Sequence, residues 1–173
     1  MTLSPIARAS WCFAVARSCM PHVHLQAAQQ QWDLTALLKC LSKLEAFLSG
    51  ELQSQDNLMR FYGDFVQWRD SLTAEDQFNA RVCELSFSAL CASLDTLSDD
   101  ECDDIDMIKA VVNQLYEELT EIGGPTPELR SYWEELNEEW LESLEDVSQR
   151  PLPKASLRVL TNVDVSPFGL VED

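Results

Sequence analysis

Apolar residues recur at steps of three and four along most of this chain, the signature of helices that bury one face. Leu34, Leu37, Leu41, Leu44 and Leu48 keep that spacing, and Leu38 and Phe47 widen the stripe. They predict a helix over residues 26–49, stopped by Gly50. Leu58, Phe61, Phe65, Trp68 and Leu72 predict a second over 56–72, with Ser54 or Asp56 as its cap and Gly63 as a mildly costly interior residue. Residues 73–76 resemble a capping box with Asp76 in place of the usual Glu or Gln. They would open a third helix with almost no loop, running to about Leu97 through Phe78, Val82, Leu85, Ala89, Leu90 and Leu94. Phe87 and Cys91 lie off that stripe, and a helix that is apolar on more than one side belongs inside a bundle. Ile105, Ile108, Val112, Leu115, Leu119 and Ile122 predict a fourth over 102–122, ended by Gly123, Gly124 and Pro125.

The fifth predicted helix, 126–147, organises the functional reading. Thr126 fits the cap and Pro127 the first helical position. Leu129, Trp133, Leu136, Trp140, Leu144 and Val147 share one face. Glu134, Glu138 and Glu142 form one acidic row, and Glu135, Glu139, Glu142 and Asp146 form another. Like charges at this spacing cost an isolated helix about 0.2–0.5 kcal/mol per pair. The helix therefore depends on burying its Trp/Leu seam.

The two ends have a different texture. Residues 1–32 contain no acid and carry Arg8, Arg17 and a short apolar run over 11–16. We read them as a loosely ordered arm or a short accessory helix. An Arg-bearing targeting segment is the alternative, and the two arginines leave too short an apolar run for a secretory signal. After Pro151 and Pro153, residues 156–165 are rich in β-branched side chains and partly alternate, which predicts an extended tail, docked on the bundle or offered to a partner's sheet. The expected fold is thus all-α: a single-domain bundle of about five helices. Residues 1–32 form the arm, 33–150 the acidic helical bundle and 151–173 the extended tail.

Composition supports one domain with a real core, since 46% of 173 residues are hydrophobic. Charge changes the picture more. The formal charge is -18. Residues 1–94 hold 7 Lys/Arg and 9 Asp/Glu, residues 95–147 hold 2 and 18, and residues 148–173 hold 3 and 3. Almost all the charge lies in 95–147. Like sign opposes direct binding of that region to nucleic acid or to an anionic membrane. No apolar run approaches the ~18 residues that span a bilayer.

The candidate partner-binding residues follow: Glu134, Glu135, Glu138, Glu139, Glu142, Glu145 and Asp146 on the fifth helix, and Asp99, Asp100, Asp103 and Asp104 in the acidic stretch that opens the fourth. Their natural complement is a basic protein. The expected function is a non-enzymatic protein–protein interaction protein: an adaptor, a regulator, a chaperone or an inhibitor. The alternative is a DNA mimic that blocks a nucleic-acid-binding protein, as in phage or mobile-element counter-defence. Seven acids from Glu134 to Asp146 place roughly one charge per 2.5–3 Å of helix axis. B-DNA carries one per ~1.7 Å, or ~3.4 Å along one strand. Homodimerisation through the regular seams is a further option, opposed by short connections that favour folding back within one chain.

Catalytic and metal signatures are absent from the pattern. Counted from Asp99, a calcium loop would need Gly at its sixth position and Glu at its twelfth; the chain has Asp104 and Ala110. Glu117 with Glu118, or Glu134 and Glu135 with Glu138, are the thinkable magnesium pairs. Six cysteines, at 12, 19, 40, 83, 91 and 102, show no zinc spacing and suit a reducing, cytoplasmic setting. His22 and His24 are the only side chains that titrate near neutrality unperturbed, and no elbow or triad order accompanies them. Neither an enzyme activity nor a cofactor or metal is expected.

Overall fold

The computed structural model describes residues 2–171. Its centre is a helix that no hydrophobic stripe marks. α1 (Pro5–Ser18) is capped by Ser4, whose Oγ accepts the Ala7 amide at 3.1 Å, with Pro5 in the first turn. Trp11, Phe13 and Val15 are fully buried, and alanines and serines bury most of the remaining surface. The helix is enclosed nearly all round, so it has no polar face. It packs most extensively on α5 (Phe78–Ser98). The two run antiparallel: Ser86 Oγ donates to the Ala16 carbonyl at 2.8 Å and Ser93 Oγ to the Ala9 carbonyl at 2.7 Å. Small residues on both sides let the backbones come close enough for these bonds, which satisfy hydroxyls that would otherwise be buried unpaired.

α1 breaks at Cys19 because Pro21 lacks the amide needed to continue the ladder. α2 (Met20–Gln30) then lies on α5. α3 (Thr35–Ser49) and α4 (Gln55–Asp70) form a hairpin that packs on α1 and α5. α6 (Ile105–Glu121) and α7 (Thr126–Leu144) form a second, and α8 (Lys154–Thr161) lies against α7 and α1. One continuous core draws on all eight helices. Among the described residues no strand forms; Val165 and Val171 make a single antiparallel bridge.

The all-α class and the central place of the third predicted helix hold, but the described residues contain eight helices rather than about five. The arm is not loosely ordered: as the helical option has it, it forms helix, but two helices rather than one, α1 and α2. α1 is central rather than accessory, which the sequence does not show because a helix buried on nearly all sides has no amphipathic period. Residue 1 lies outside the described residues. The predicted helix over 26–49 is two helices. Gln31 takes a left-handed conformation, φ 57°, and Asp33 Oδ1 then accepts the Thr35 amide at 3.0 Å, starting α3 afresh. The capping box at 73–76 does not form, and α5 begins only at Phe78. The tail is not simply extended: residues 154–161 are α8, where packing of Ser156 and Leu160 overrides β propensity. Residues 172 and 173 of the predicted tail lie outside the described residues.

One arginine ties the tail to the bundle. Arg150 Nη1 donates to the carbonyls of Phe47 at 2.9 Å and Leu52 at 3.1 Å, and its guanidinium lies 3.7 Å over the Phe47 ring. It thus satisfies a carbonyl at the negative end of α3 and one just beyond it. Arg150→Ala is expected to cost about 1.5–3 kcal/mol, the range for hydrogen bonds to a charged group. Arg150→Lys is expected to recover only part, since an ammonium cannot reproduce the planar fork. Urea denaturation checks both; a cost near zero for the alanine variant would mean that water serves these carbonyls equally well.

Candidate functional site

α7 separates its two chemistries cleanly. Trp133, Leu136, Trp140 and Leu144 are buried, while Glu134, Glu135, Glu138, Glu139 and Glu142 are exposed. Glu145 and Asp146 follow the helix end and are exposed as well. In the turn before α6, Asp99, Asp100 and Asp103 are exposed and Asp104 is half-buried. Two of these carboxylates shape the turn. Asp99 Oδ1 accepts the Glu101 amide at 3.0 Å and Asp103 Oδ1 the Ile105 amide at 3.4 Å.

The start of α1 brings the two acidic segments together. Ser4 Oγ donates to the Val147 carbonyl at 2.6 Å, directly after Asp146. One turn along α1, Arg8 donates to the carbonyls of Asp100 at 2.6 Å and Cys102 at 3.1 Å. The arginine grips the acidic turn by its backbone and leaves the carboxylates facing water. Glu134 and Glu135 lie further along α7, beside Trp133, whose ring meets Trp11 at 6.2 Å.

The two cations of this region do not neutralise the face. Lys109 sits 5.8 Å over the Trp11 ring and Arg130 5.3 Å over the Tyr116 ring. The ion pairs among the described residues are Arg17–Glu45, Arg69–Glu84 and Arg81–Glu118, and none of the eleven candidate acids takes part. Among the described residues no three His, Cys, Asp or Glu side chains converge to hold a metal ion. No helix among them is long and apolar enough to cross a membrane. Cys12, Cys19, Cys40 and Cys83 are buried free thiols, and burial pushes each up to about 12, which keeps them protonated and unreactive.

A second constellation was not visible in the sequence. His22 is buried, with Nδ1 2.8 Å from Asn79 Oδ1 and Nε2 2.6 Å from Ser166 Oγ. The amide of Asn79 is oriented by its own bonds. Its Nδ2 donates to the His22 carbonyl at 3.0 Å and to Gln26 Oε1 at 2.9 Å, so Oδ1 must accept from Nδ1–H. Nε2 therefore accepts from the Ser166 hydroxyl. By distance this is a Ser–His–Asn relay. Ser166 is fully buried, however, and its oxygen already accepts the Phe168 and Leu170 amides at 3.1 and 3.2 Å. In this conformation the hydroxyl is closed to any substrate, and the relay acts as a clasp. Residues 22, 79 and 166 are too far apart in sequence for spacing to reveal it.

Among the described residues an open groove of about 300 Å³ lies between α3 and α4, lined by Ala36, Lys39, Phe61, Asp64 and Trp68 among others. No protein-family model, no curated protein and no solved structure matches this chain.

Proposed function

We propose that this protein is a non-enzymatic interaction protein, an adaptor, regulator, chaperone or inhibitor, that binds a basic protein partner through the acidic face of α7 and the acidic turn before α6. One observation supports this reading: ten of the eleven carboxylates are exposed and Asp104 is half-buried, and none of them has an ion-pair partner among the described residues, around one end of the bundle and along one helix. Stacked like charges weaken a helix, and here they cap no helix start on α7 and pair with no cation among the described residues. A partner bearing Lys and Arg would relieve that repulsion, and association would be fast and salt-sensitive. The predicted self-pairing seams are turned into the chain's own core at Leu44, Leu48, Leu58, Phe65, Val112 and Leu115. Six free thiols fit a reducing, cytoplasmic setting.

The test is charge reversal on the full chain. Glu135→Lys, Glu138→Lys, Glu139→Lys and Glu142→Lys together are expected to leave helicity unchanged by circular dichroism. They are expected to weaken binding of the protein recovered from native extract by tenfold or more at low salt. Undiminished binding would reduce the face to a solubility surface. Added duplex separates the second reading, DNA mimicry, which the phosphate-like charge density along α7 favours. Displacement of the partner by duplex supports the mimic; indifference to duplex supports a basic partner that does not bind nucleic acid.

A further inference from the structure

The C-terminal segment is held by a clasp of unusual chemistry. Residues 163–171 run back over α2, α5, α6 and α7. Tyr132 Oη donates to the Val165 carbonyl and Tyr116 Oη to the Pro167 carbonyl, both at 2.6 Å. Phe168 fills a slot between Tyr116, Phe78 and His22, with ring centroids at 4.8, 5.9 and 6.2 Å. Gly169 turns the chain at φ 89°, and a Cβ there would lie 3.2 Å from Leu129. The segment is thus a Ser-Pro-Phe-Gly turn, closed by the Gly169 amide on the Ser166 carbonyl at 2.9 Å and seated in an aromatic slot with His22 at its base.

From this geometry we infer that residues 163–171 form a proton-released strap: protonation of His22 undoes the clasp, frees the strap and opens the slot while the bundle stays folded. The reason is the valence of Ser166. Its two lone pairs receive the Phe168 and Leu170 amides, so its only way to meet Nε2 is to donate. An imidazolium carries a hydrogen on Nε2 and finds no acceptor there. Asn79 cannot compensate, because its Oδ1 already serves Nδ1.

Among the described residues no neighbouring charge offsets this. The titratable groups around this cluster are the Cys83 thiol of α5, which donates to the His22 carbonyl at 3.3 Å, the Cys19 thiol, whose backbone carbonyl accepts the His22 amide, and the Tyr116 phenol of α6 on the other side of Phe168. Burial raises all three above their ordinary values, so they stay neutral through mildly acidic pH. Among charged residues on the packed elements, Arg81 pairs with Glu118 at 2.7 Å, Glu84 pairs with Arg69 at 2.9 Å and Arg130 lies over Tyr116. Asp164 on the strap and His24 on α2 are exposed. Burial accordingly holds His22 below its ordinary 6.5 while the strap is closed, with the Asn79 bond opposing in part. The sign is fixed by that direction. Above about 6.5 neither state binds the proton and the clasp is at full strength. Below it the open state binds the proton and the closed state does not, so the strap loosens roughly tenfold per pH unit until the closed-state value is reached.

Hydrogen–deuterium exchange on the full chain at pH 7.5 and 5.0, corrected for intrinsic rates, tests this. The amides of Ser166, Phe168, Gly169 and Leu170 are expected to lose protection about ten- to thirty-fold at the lower pH, while α5 keeps its own. In His22→Gln that difference is expected to vanish. Equal protection of the strap at both values would overturn the inference, as would simultaneous loss in α5, which would mean global unfolding. If His22→Gln does not fold, Ser166→Ala serves: it leaves the imidazole and removes the clasp. Its strap is expected to exchange freely already at pH 7.5, and wild-type protection there would overturn the inference.

Discussion

A chain that starts at residue 33 is expected not to fold. It keeps every amphipathic stripe that the sequence displays and all eleven candidate acids, yet it loses α1 and α2. Trp11, Phe13, Val15 and Val23 are fully buried, and Ile6 and Met20 nearly so. At ~1.5–3 kcal/mol for each large apolar side chain, these six contribute on the order of 10 kcal/mol. That is comparable with the whole stability of a typical domain, about 5–15 kcal/mol. The loss extends to the partners left behind. α5 would expose the face that holds Ser86 and Ser93 against α1, and Trp133 would lose Trp11. The expected result is a fragment with reduced far-ultraviolet helicity, little near-ultraviolet tryptophan signal and no sigmoidal thermal transition. A cooperative transition in the fragment would show that α3 to α8 carry a core of their own.

How far the fold could be read depends on where each helix sits. α4, α6 and α7 each have one buried side, and their stripes predict them to within a few residues. α3 is marked by the same period, but it was merged with α2 because Gln31, a residue that rarely adopts φ above zero, makes the break. α1 is the opposite case. Its alanines and serines suit close helix packing, but surrounded nearly on all sides it has no period to detect. Its two arginines are placed by backbone contacts: Arg8 holds carbonyls of the acidic turn, and Arg17 donates to the Thr161 carbonyl. The β-branched residues of 156–165 predict an extended segment; that holds at Val163 and Val165, beyond α8, but within α8 the preference of Val159 is outweighed by burial of Leu160. The acidic candidates were legible because charge is visible without folding. The His22 clasp was not, because it exists only once three distant segments meet.

The tryptophans of the core give a graded result that separates packing from hydrogen bonding. Trp140 is fully buried on the inner side of α7, with Trp133 5.8 Å away. Trp140→Ala is expected to cost about 3–5 kcal/mol, the range for a buried aromatic truncated to a methyl group. Its exposed neighbour Glu139 is expected to tolerate substitution with little change in stability, so adjacent residues report on core and surface separately. Substitution by Phe sharpens the argument. The indole N–H of Trp140 is buried and finds no acceptor. Trp140→Phe removes that unsatisfied donor, worth about 1–3 kcal/mol, which offsets much of the lost volume. In Trp11 the indole N–H donates to Asn137 Oδ1 at 2.8 Å. Trp11→Phe loses volume and also strands that acceptor, so it is expected to be the more destabilising of the two Phe variants by at least about 1 kcal/mol. Urea denaturation of the four proteins, wild type included, checks the order. If Trp140→Phe proves the costlier, its indole must be donating to an acceptor such as a bound water, and the core of α7 is wetter than its apolar lining implies.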